Sequence, residues 1–414
     1  MARPATPITS GFMIIATATG EGVAMYLRKG RLLMRQAIAG LASLGVLFVT
    51  AGVAQARPGD IIVGDSSAAK VYRLDPGTGA KTVISDDPQL VSPNDSVFGP
   101  DGTLYVADYE AFGGLGGAFE INPRTGATSK LAGGAPFSQP DGIARNPSGS
   151  LFETDLSAGP FGGFFGALFR VGVPGGGVGL IAPASGGPAL DDPLGVVVPP
   201  SGKPIVGTSA PSIVQINPRT GAQHVIANAA DGLTQSGGLA RAPDGTLYTP
   251  ASPSGIDSVN PRTGEVQRVS SVPTDGYGLA IDFRGNVVTQ SGTDVFLANP
   301  RTGSFKTIGQ GFVYAEGFEV EPPRCGGRTA TIVGTTSKER LRGSNFADVI
   351  AGLDGNDKIN ALGSNDRICA GKGRDTINVR GLGLDRVSCG PGDDLVRASR
   401  TDRVGSSCEV VKRR

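Results

Sequence analysis

Acidic side chains recur every nine residues near the C-terminal end of the chain. Aligned in nines from Gly334, the sequence has an acid at the sixth position and an aliphatic residue at the eighth, as in Asp357 and Ile359. One extra residue enters near 379–384. The sixth positions are Glu339, Asp348, Asp357, Asp366, Asp375, Asp385 and Asp394. Carboxylate and carbonyl oxygens are the ligands that Ca²⁺ prefers, so this spacing predicts a row of Ca²⁺ sites.

The aliphatic positions indicate how these acids would be held. They are Leu341, Ile350, Ile359, Ile368, Ile377, Val387, and Val396 or its neighbour. In a coil of two nonapeptides they would fill a narrow core between two walls of strands, with glycines making the tight turns. Stacked carboxylates repel one another without a cation, so we expect binding to be coupled to folding. The alternative is a solenoid whose aspartates only cap turns.

This pattern resembles the RTX, or haemolysin-type, nonapeptide GGxGxDxUx. The resemblance implies Ca²⁺ between loops on the same side of the coil, two nonapeptides apart. The implied ligands on one side are Asp354, Asn356 and Asp357 with Asp375, and then Asp375 with Asp393 and Asp394. Those on the opposite wall are Asn345, Asp348, Asn365, Asp366 and Asp385. Ala347 and Ser364 replace expected glycines on that wall, so we expect its sites to be weak or empty.

A longer repeat precedes this tail. The string NPRTG occurs at 122–126, 217–221, 260–264 and 299–303, with variants at 75–79 and 173–177. Each copy lies between two short apolar segments, which is typical of strand, tight turn, strand. A second turn of the Pro-Asp-Gly type repeats out of phase at 100–102, 147–149, 200–202, 243–245 and 283–285. Two hairpins per period give four strands, the content of a propeller blade.

The turn counts predict how the ring closes. Six turns of the first kind and five of the second leave one blade to be assembled from segments 317–322 and 59–65, with the C-terminal strand innermost. Such closure removes exposed sheet edges. The predicted fold class is therefore all-β: a six-bladed β-propeller over 57–323, followed by a short parallel β-roll, or β-solenoid, over 324–414.

The segments at 100–108 (PDGTLYVAD) and 243–248 (PDGTLY) resemble the propellers of the NHL and gluconolactonase-like superfamily. That resemblance implies a divalent cation at the channel mouth, able to polarise a lactone carbonyl or activate water. The candidate ligands are Glu316, Asn94, Asp95, Asp141 and Asp275. The equivalent loop at 234–237 has no acid, and His224, the single histidine, is predicted on an outer strand. We therefore expect a binding or structural platform, with a metal-dependent hydrolase as the alternative.

The N-terminal region has the layout of a secretory signal peptide. Arg28, Lys29, Arg31 and Arg35 are followed by an apolar run over 37–53 and by a small-x-small site at 54–56. The residues before Met25 match neither a structural element nor a signal, so we expect translation to start at Met25 or Met34. These features predict an extracellular protein with no membrane span after cleavage of residues 1–56. An uncleaved anchor is the alternative.

The charge composition of the chain limits the classes of partner that it could bind. Charged residues make up 18% of the chain and the formal net charge is +1, which argues against nucleic acid. We expect calcium ions and an extracellular ligand or cell-surface partner.

All four cysteines lie in the tail: Cys325, Cys369, Cys389 and Cys408. An even number in an exported chain predicts disulfides, with free buried thiols as the alternative. Two pairs have the spacing of one coil, Cys369 with Cys389 and Cys389 with Cys408. We expect Cys369–Cys389, which leaves Cys325 to pair with Cys408.

Overall fold

A computed structural model of the chain describes residues 15–19, 22–26, 57–158, 165–183, 190–275 and 277–414. It divides into two units, Met1–Gly52 and Val53–Arg414. The described part of the first unit is an antiparallel hairpin of β1 (Ile15–Thr19) and β2 (Gly22–Tyr26), which the sequence analysis did not predict. Its threonines and valine favour strands. The predicted export segment at 28–56 lies outside the described residues. Among the residues that the structure describes, no helix is long and apolar enough to cross a membrane.

Six four-stranded antiparallel sheets form the propeller. Blade 1 contains β3 (Ile61–Asp65), β4 (Lys70–Leu74) and β5 (Lys81–Ser85); blade 2 contains β6 (Pro93–Phe98), β7 (Leu104–Asp108), β8 (Gly117–Ile121) and β9 (Thr128–Gly133); blade 3 contains β10 (Pro140–Arg145), β11 (Leu151–Asp155), β12 (Phe165–Val171) and β13 (Val178–Ala182), with β14 (Leu190–Asp191) paired to β12. The described residues also form two short helical turns, α1 (Ala111–Gly114) and a 3₁₀ turn at Ala229–Asp231.

The ring continues with blades of the same order. Blade 4 contains β15 (Pro193–Val197), β16 (Ile205–Thr208), β17 (Ser212–Ile216) and β18 (Gln223–Asn228); blade 5 contains β19 (Ala240–Arg241), β20 (Leu247–Pro250), β21 (Ile256–Val259) and β22 (Val266–Ser270); blade 6 contains β23 (Ala280–Ile281), β24 (Val287–Ser291), β25 (Asp294–Ala298) and β26 (Phe305–Gly309). The last strand, β27 (Ala315–Val320), returns to blade 1. The predicted six-bladed ring is confirmed.

Blade 1 joins the two ends of the propeller as predicted. Strand β27 is innermost and pairs with β3, with Val320 opposite Ile61. Beyond the β27–β3 strand pair, Arg73 Nε donates to Glu321 Oε2 at 2.8 Å, and both side chains are largely buried. This ion pair ties β4 to the segment that leaves the ring.

Two local devices fix the blades around the axis. Asp65, Asp108 and Asp155 end the second strands of blades 1 to 3, and each carboxylate accepts two backbone N–H groups from the segment entering the inner strand. Glycines allow the inner strands to approach closely. A Cβ on Gly317 would lie 1.7 Å from the Asn94 carbonyl oxygen. These contacts explain the glycine and aspartate spacing of the repeat.

The C-terminal residues form a parallel β-solenoid, preceded by a hairpin of β28 (Arg324–Cys325) and β29 (Arg328–Thr329). One wall contains β30 (Ile332–Val333), β32 (Val349–Ala351), β34 (Arg367–Cys369), β36 (Arg386–Ser388) and β38 (Arg403–Val404). The other contains β31 (Arg340–Arg342), β33 (Lys358–Asn360), β35 (Thr376–Val379), β37 (Leu395–Ala398) and β39 (Val410–Arg413). The predicted aliphatic positions stack in a buried core, with Val396 as the last of them.

The register of the walls locates the predicted extra residue. Ile350 pairs with Ile368, 18 residues on, whereas Ile368 pairs with Val387, 19 residues on. The insertion therefore lies in the loop between β35 and β36, as the sequence indicated.

The predicted disulfide pairing is wrong. The bonds are Cys325–Cys369, with Cα atoms 5.7 Å apart, and Cys389–Cys408, with Cα atoms 5.1 Å apart. The inserted residue explains the error. It stacks Ser388 on Cys369, so Cys389, one position later, faces the solenoid core. There it meets Cys408, while Cys369 packs against Cys325 of the β28–β29 hairpin.

Candidate metal centre

Buried acids form a ladder along one edge of the solenoid. Asp357, Asp375 and Asp394 each directly precede a strand of the second wall and are at most 1% exposed. The N–H of Asp357 donates to Asp375 Oδ1 at 2.8 Å, and the N–H of Asp375 donates to Asp394 Oδ1 at 2.8 Å. Glu339 and Glu409 extend the ladder at its two ends. Each carboxylate thus holds the backbone of the coil before it.

The opposite edge has the same arrangement. The N–H of Asp348 donates to Asp366 Oδ1 at 2.9 Å, and the N–H of Asp366 donates to Asp385 Oδ1 at 2.9 Å. The N–H of Asp385 donates to Asp402 Oδ1 at 3.2 Å. The two edges therefore use one carboxylate oxygen per coil for the backbone.

The second oxygen of four of these carboxylates has no hydrogen-bond partner although it is buried: Asp357, Asp366, Asp375 and Asp394 Oδ2. Burial, and then the neighbouring acids, raise the pKa of both Asp357 and Asp366 to about 7. Burial also raises the pKa of Asp375 and Asp394. An unpaired buried carboxylate oxygen is costly, and a hard cation is the ligand that would satisfy it.

The first acid of each ladder, Glu339 on one edge and Asp348 on the other, is hydrogen-bonded by donors of its own coil. Ser344 donates from its N–H at 2.6 Å and from its hydroxyl at 2.9 Å to Asp348 Oδ2. Thr335 donates its N–H to Glu339 Oε2 at 2.7 Å. The unsatisfied oxygens therefore belong to inner rungs of the ladders.

Several predicted ligands lie elsewhere. Asp354 and Asp393 point outward, where they form exposed ion pairs with Lys372 at 3.4 Å and Arg374 at 3.5 Å. Asn356 and Asn365 accept backbone N–H groups of Arg374 and Leu384, both at 2.7 Å. These four side chains brace the loops.

The ladders also contain two acids that the sequence analysis missed, Asp402 and Glu409. They lie 17 and 15 residues after the preceding acid of the same edge, instead of 18. The signal was present, because each is followed two places later by valine. In the described residues no three or more His, Cys, Asp or Glu side chains surround one point suited to a metal. A Ca²⁺ site here would combine carboxylates of adjacent coils with backbone carbonyls.

The propeller brings together part of its predicted set. Asn94 and Asp141 start the inner strands of blades 2 and 3, and Asn94 Nδ2 donates to Asp141 Oδ2 at 3.0 Å. Burial raises the pKa of Asp141 to about 6. Glu316, at the start of β27, has its pKa raised to about 7 by burial and then by the charges of Asp141 and Asp65. Asn94 and Asp141 are therefore in direct contact, and Glu316 is close enough for the charge of Asp141 to raise its pKa.

Asp95 and Asp275 are placed differently. Asp95 Oδ2 accepts the N–H of Ile143 at 3.0 Å, farther along the channel, and burial raises its pKa to about 7. Burial of Glu319, and then the charge of Asp95, raise the pKa of Glu319 to about 8. Asp275 accepts hydrogen bonds from Ser291 and Gly292 in a turn of blade 6. Neither side chain forms a hydrogen bond with Asn94 or Asp141.

Comparisons with known proteins bear on the tail and the ring separately. Residues 342–377 match the family model of the RTX calcium-binding nonapeptide repeat, in four copies. No curated protein matches the chain. Similar solved structures include a streptogramin B lyase, 13% identical over 61% of this chain and 80% of that one, with a TM-score of 0.44. A gluconolactonase from Xanthomonas campestris is 19% identical over 64% of this chain and 88% of that one, with a TM-score of 0.45.

The family match falls on the coils whose buried carboxylates stack in register. It covers Asp348, Asp357, Asp366 and Asp375, and so most of the rungs with an unpaired oxygen. The chain thus contains RTX calcium-binding repeats that follow a six-bladed β-propeller in the sequence.

Proposed function

We propose that this chain is a secreted Ca²⁺-binding protein in which Ca²⁺ completes the fold of the solenoid and the propeller is a binding or structural platform. The proposed layout is an export segment at 1–56, the propeller at 57–323 and the RTX domain at 324–414. The observation that carries the proposal is the row of buried, unpaired carboxylate oxygens in the inner coils.

The proposed ligands follow the two ladders. Asp357 with Asp375, and Asp375 with Asp394, would hold ions on the first edge, and Asp366 with Asp385 would hold one on the second. Ca²⁺ takes six to eight oxygen ligands, so backbone carbonyls and water would complete each shell. Burial, and then the neighbouring acids, raise the pKa of these carboxylates, and a bound cation would oppose both effects by attracting the charged form. Asp348, already bonded to Ser344, would stay a cap.

Equilibrium dialysis and calorimetric titration of the mature chain, residues 57–414, test the proposal. After removal of metal with EDTA, we expect bound Ca²⁺, a higher melting temperature on adding Ca²⁺, and a much smaller effect of Mg²⁺, which demands a tighter octahedral shell. A chain that binds no Ca²⁺ at millimolar concentration and melts unchanged would rule it out. N-terminal sequencing of protein exported from cells tests the cleavage before Arg57.

A gluconolactonase-like hydrolase is the second candidate, favoured by Glu316, Asn94 and Asp141 at the channel mouth. Two carboxylates and an amide oxygen are hard ligands for a divalent cation that could polarise a lactone carbonyl. A pH-stat assay with glucono-δ-lactone and Ca²⁺, Mg²⁺, Mn²⁺ or Zn²⁺ tests it. Turnover that Asp141→Asn abolishes and Asp275→Asn preserves would support a hydrolase; absence of turnover with every metal would exclude this reaction.

A further inference from the structure

The first solenoid coil roofs one end of the propeller channel. Thr329 N–H donates to the Pro100 carbonyl at 3.0 Å, and Thr336 N–H donates to the Phe283 carbonyl at 2.7 Å. These bonds attach the solenoid to turns of blades 2 and 6. Between them lies a cavity of about 910 Å³, walled by the ends of the inner strands and by residues 330–348. Cavities of ~300–1,000 Å³ hold drug-sized ligands.

The cavity contains four arginines without partners. Arg145 and Arg241 end the inner strands β10 and β19, and Arg340 and Arg342 come from the solenoid. None of these guanidinium groups forms a hydrogen bond or an ion pair within the described part of the chain. Arg145 and Arg241 are half-buried, and burial lowers the pKa of both. Their donors are therefore desolvated and unused.

The acids that line the same cavity are already engaged. Asp95 accepts two backbone N–H groups, Asp244 and Asp282 accept donors of their own turns, and Asp348 accepts Ser344. Burial, and then the charge of Asp95, raise the pKa of Glu319 to about 8 and so disfavour its charged form. Asp348 influences Arg145 electrostatically without pairing with it. The hydrogen-bonding capacity left in the cavity is thus mainly donors, which suits a ligand rich in acceptors.

Aromatic side chains supply an apolar surface beside the arginines. Phe98, Phe283 and Phe318 come from the propeller, and Phe346 comes from the solenoid. We propose that this interdomain cavity binds a small organic anion with an apolar body, whose carboxylate or phosphate is held by Arg145 and Arg241. The proposal concerns a site on the opposite side of Asp95 from the channel mouth, and it does not require the hydrolase.

Calorimetry with paired probes tests it. With the Ca²⁺-loaded mature chain, 1-naphthoate should bind at least tenfold more tightly than neutral 1-naphthamide, about 1.4 kcal/mol. Arg145→Gln and Arg241→Gln should each remove most of this preference. Arg219→Gln, an exposed arginine of a repeat turn, should keep it.

Equal affinity for the acid and the amide, no binding of either probe at millimolar concentration, or unchanged affinity in both arginine variants would overturn the proposal and indicate a water-filled interface. A benzophenone carboxylate photoprobe on the wild-type chain gives an answer independent of variant folding. Cross-links should map to 143–147, 239–241 or 340–348, and cross-links confined to other peptides would refute the site. Because wild-type Ca²⁺ binding is measured separately, failure here is distinguishable from failure of the proposed calcium function.

Discussion

Asp375 is the residue on which both proposed sites of the first edge depend. Its Oδ1 accepts the N–H of Asp357 at 2.8 Å, its Oδ2 is buried without a partner, and its own N–H donates to Asp394. Asp375→Asn keeps the shape and the Oδ1 acceptor but removes the negative charge and the second acceptor. The change should therefore leave the metal-free fold intact while abolishing Ca²⁺ binding on this edge.

The size of the effect follows from linkage. An ion present at 100 times its dissociation constant stabilises the folded state by about 2.7 kcal/mol, so two sites contribute on the order of 5 kcal/mol. For a solenoid of this size, each kcal/mol shifts the melting temperature by about 4–8 °C. The wild-type solenoid transition should thus rise by ~20 °C or more on saturation with Ca²⁺, and the Asp375→Asn transition by less than half as much.

Differential scanning calorimetry in EDTA and in Ca²⁺ measures both shifts, and it suits a chain that has no tryptophan. In EDTA, Asp375→Asn should melt at or slightly above the wild type, because burial raises the pKa of Asp375 and thereby disfavours its charge. Asp393→Asn is the matched control, since Asp393 directly precedes Asp394 of the same ladder but is itself exposed and paired with Arg374. A full Ca²⁺ shift in Asp375→Asn, or an equal loss in Asp393→Asn, would refute the ladder as the binding site.

Three further outcomes are expected. In EDTA the solenoid should lose stability as the pH rises from about 4 to 7, because Asp357 and Asp366, with pKa values raised to about 7, must ionise in buried positions. In Ca²⁺ the melting temperature should instead rise over the same pH range. A melting temperature that changes in the same direction with and without Ca²⁺ would contradict this. Cys389→Ser should destabilise the solenoid by about 3 kcal/mol in denaturant titrations, because the bond to its partner closes a loop of 19 residues; an unchanged midpoint would argue against the bond. Asp108→Ala should destabilise the propeller by roughly 3 kcal/mol or more, because four backbone N–H groups lose their acceptor, whereas the exposed Asp101→Ala should cost less than 1 kcal/mol.

Much of the candidate site could be predicted from the sequence, because a solenoid is a linear stack of similar coils. Each coil contacts its neighbours, so a fixed spacing in sequence becomes a fixed position in space. The acid-x-aliphatic pattern therefore located Asp357, Asp366 and Asp375 on the correct edges. The same logic failed where the spacing changed, at Asp402 and Glu409, because the coil shortens there.

Spacing could not reveal how each oxygen is used. Asp354 and Asp357 are three residues apart in one loop, yet one faces solvent beside Lys372 and the other is buried. Ser344, which closes Asp348, looks like an ordinary loop serine. The direction of a side chain in a tight turn depends on backbone dihedrals and on the neighbouring coil.

The sequence alone determined the repeat units, the four strands of each blade, the closure of the ring by both ends and the aliphatic core of the solenoid, because all of these depend on local periodicity and turn chemistry. The tertiary structure decided which cysteines pair, since one inserted residue turned Cys389 inward. It also decided that Asp95 and Asp275 bond to other groups than Asn94 and Asp141, and that Arg145 and Arg241 face the first coil across a cavity. Such contacts join residues distant in sequence, and only the packing of complete domains brings them together.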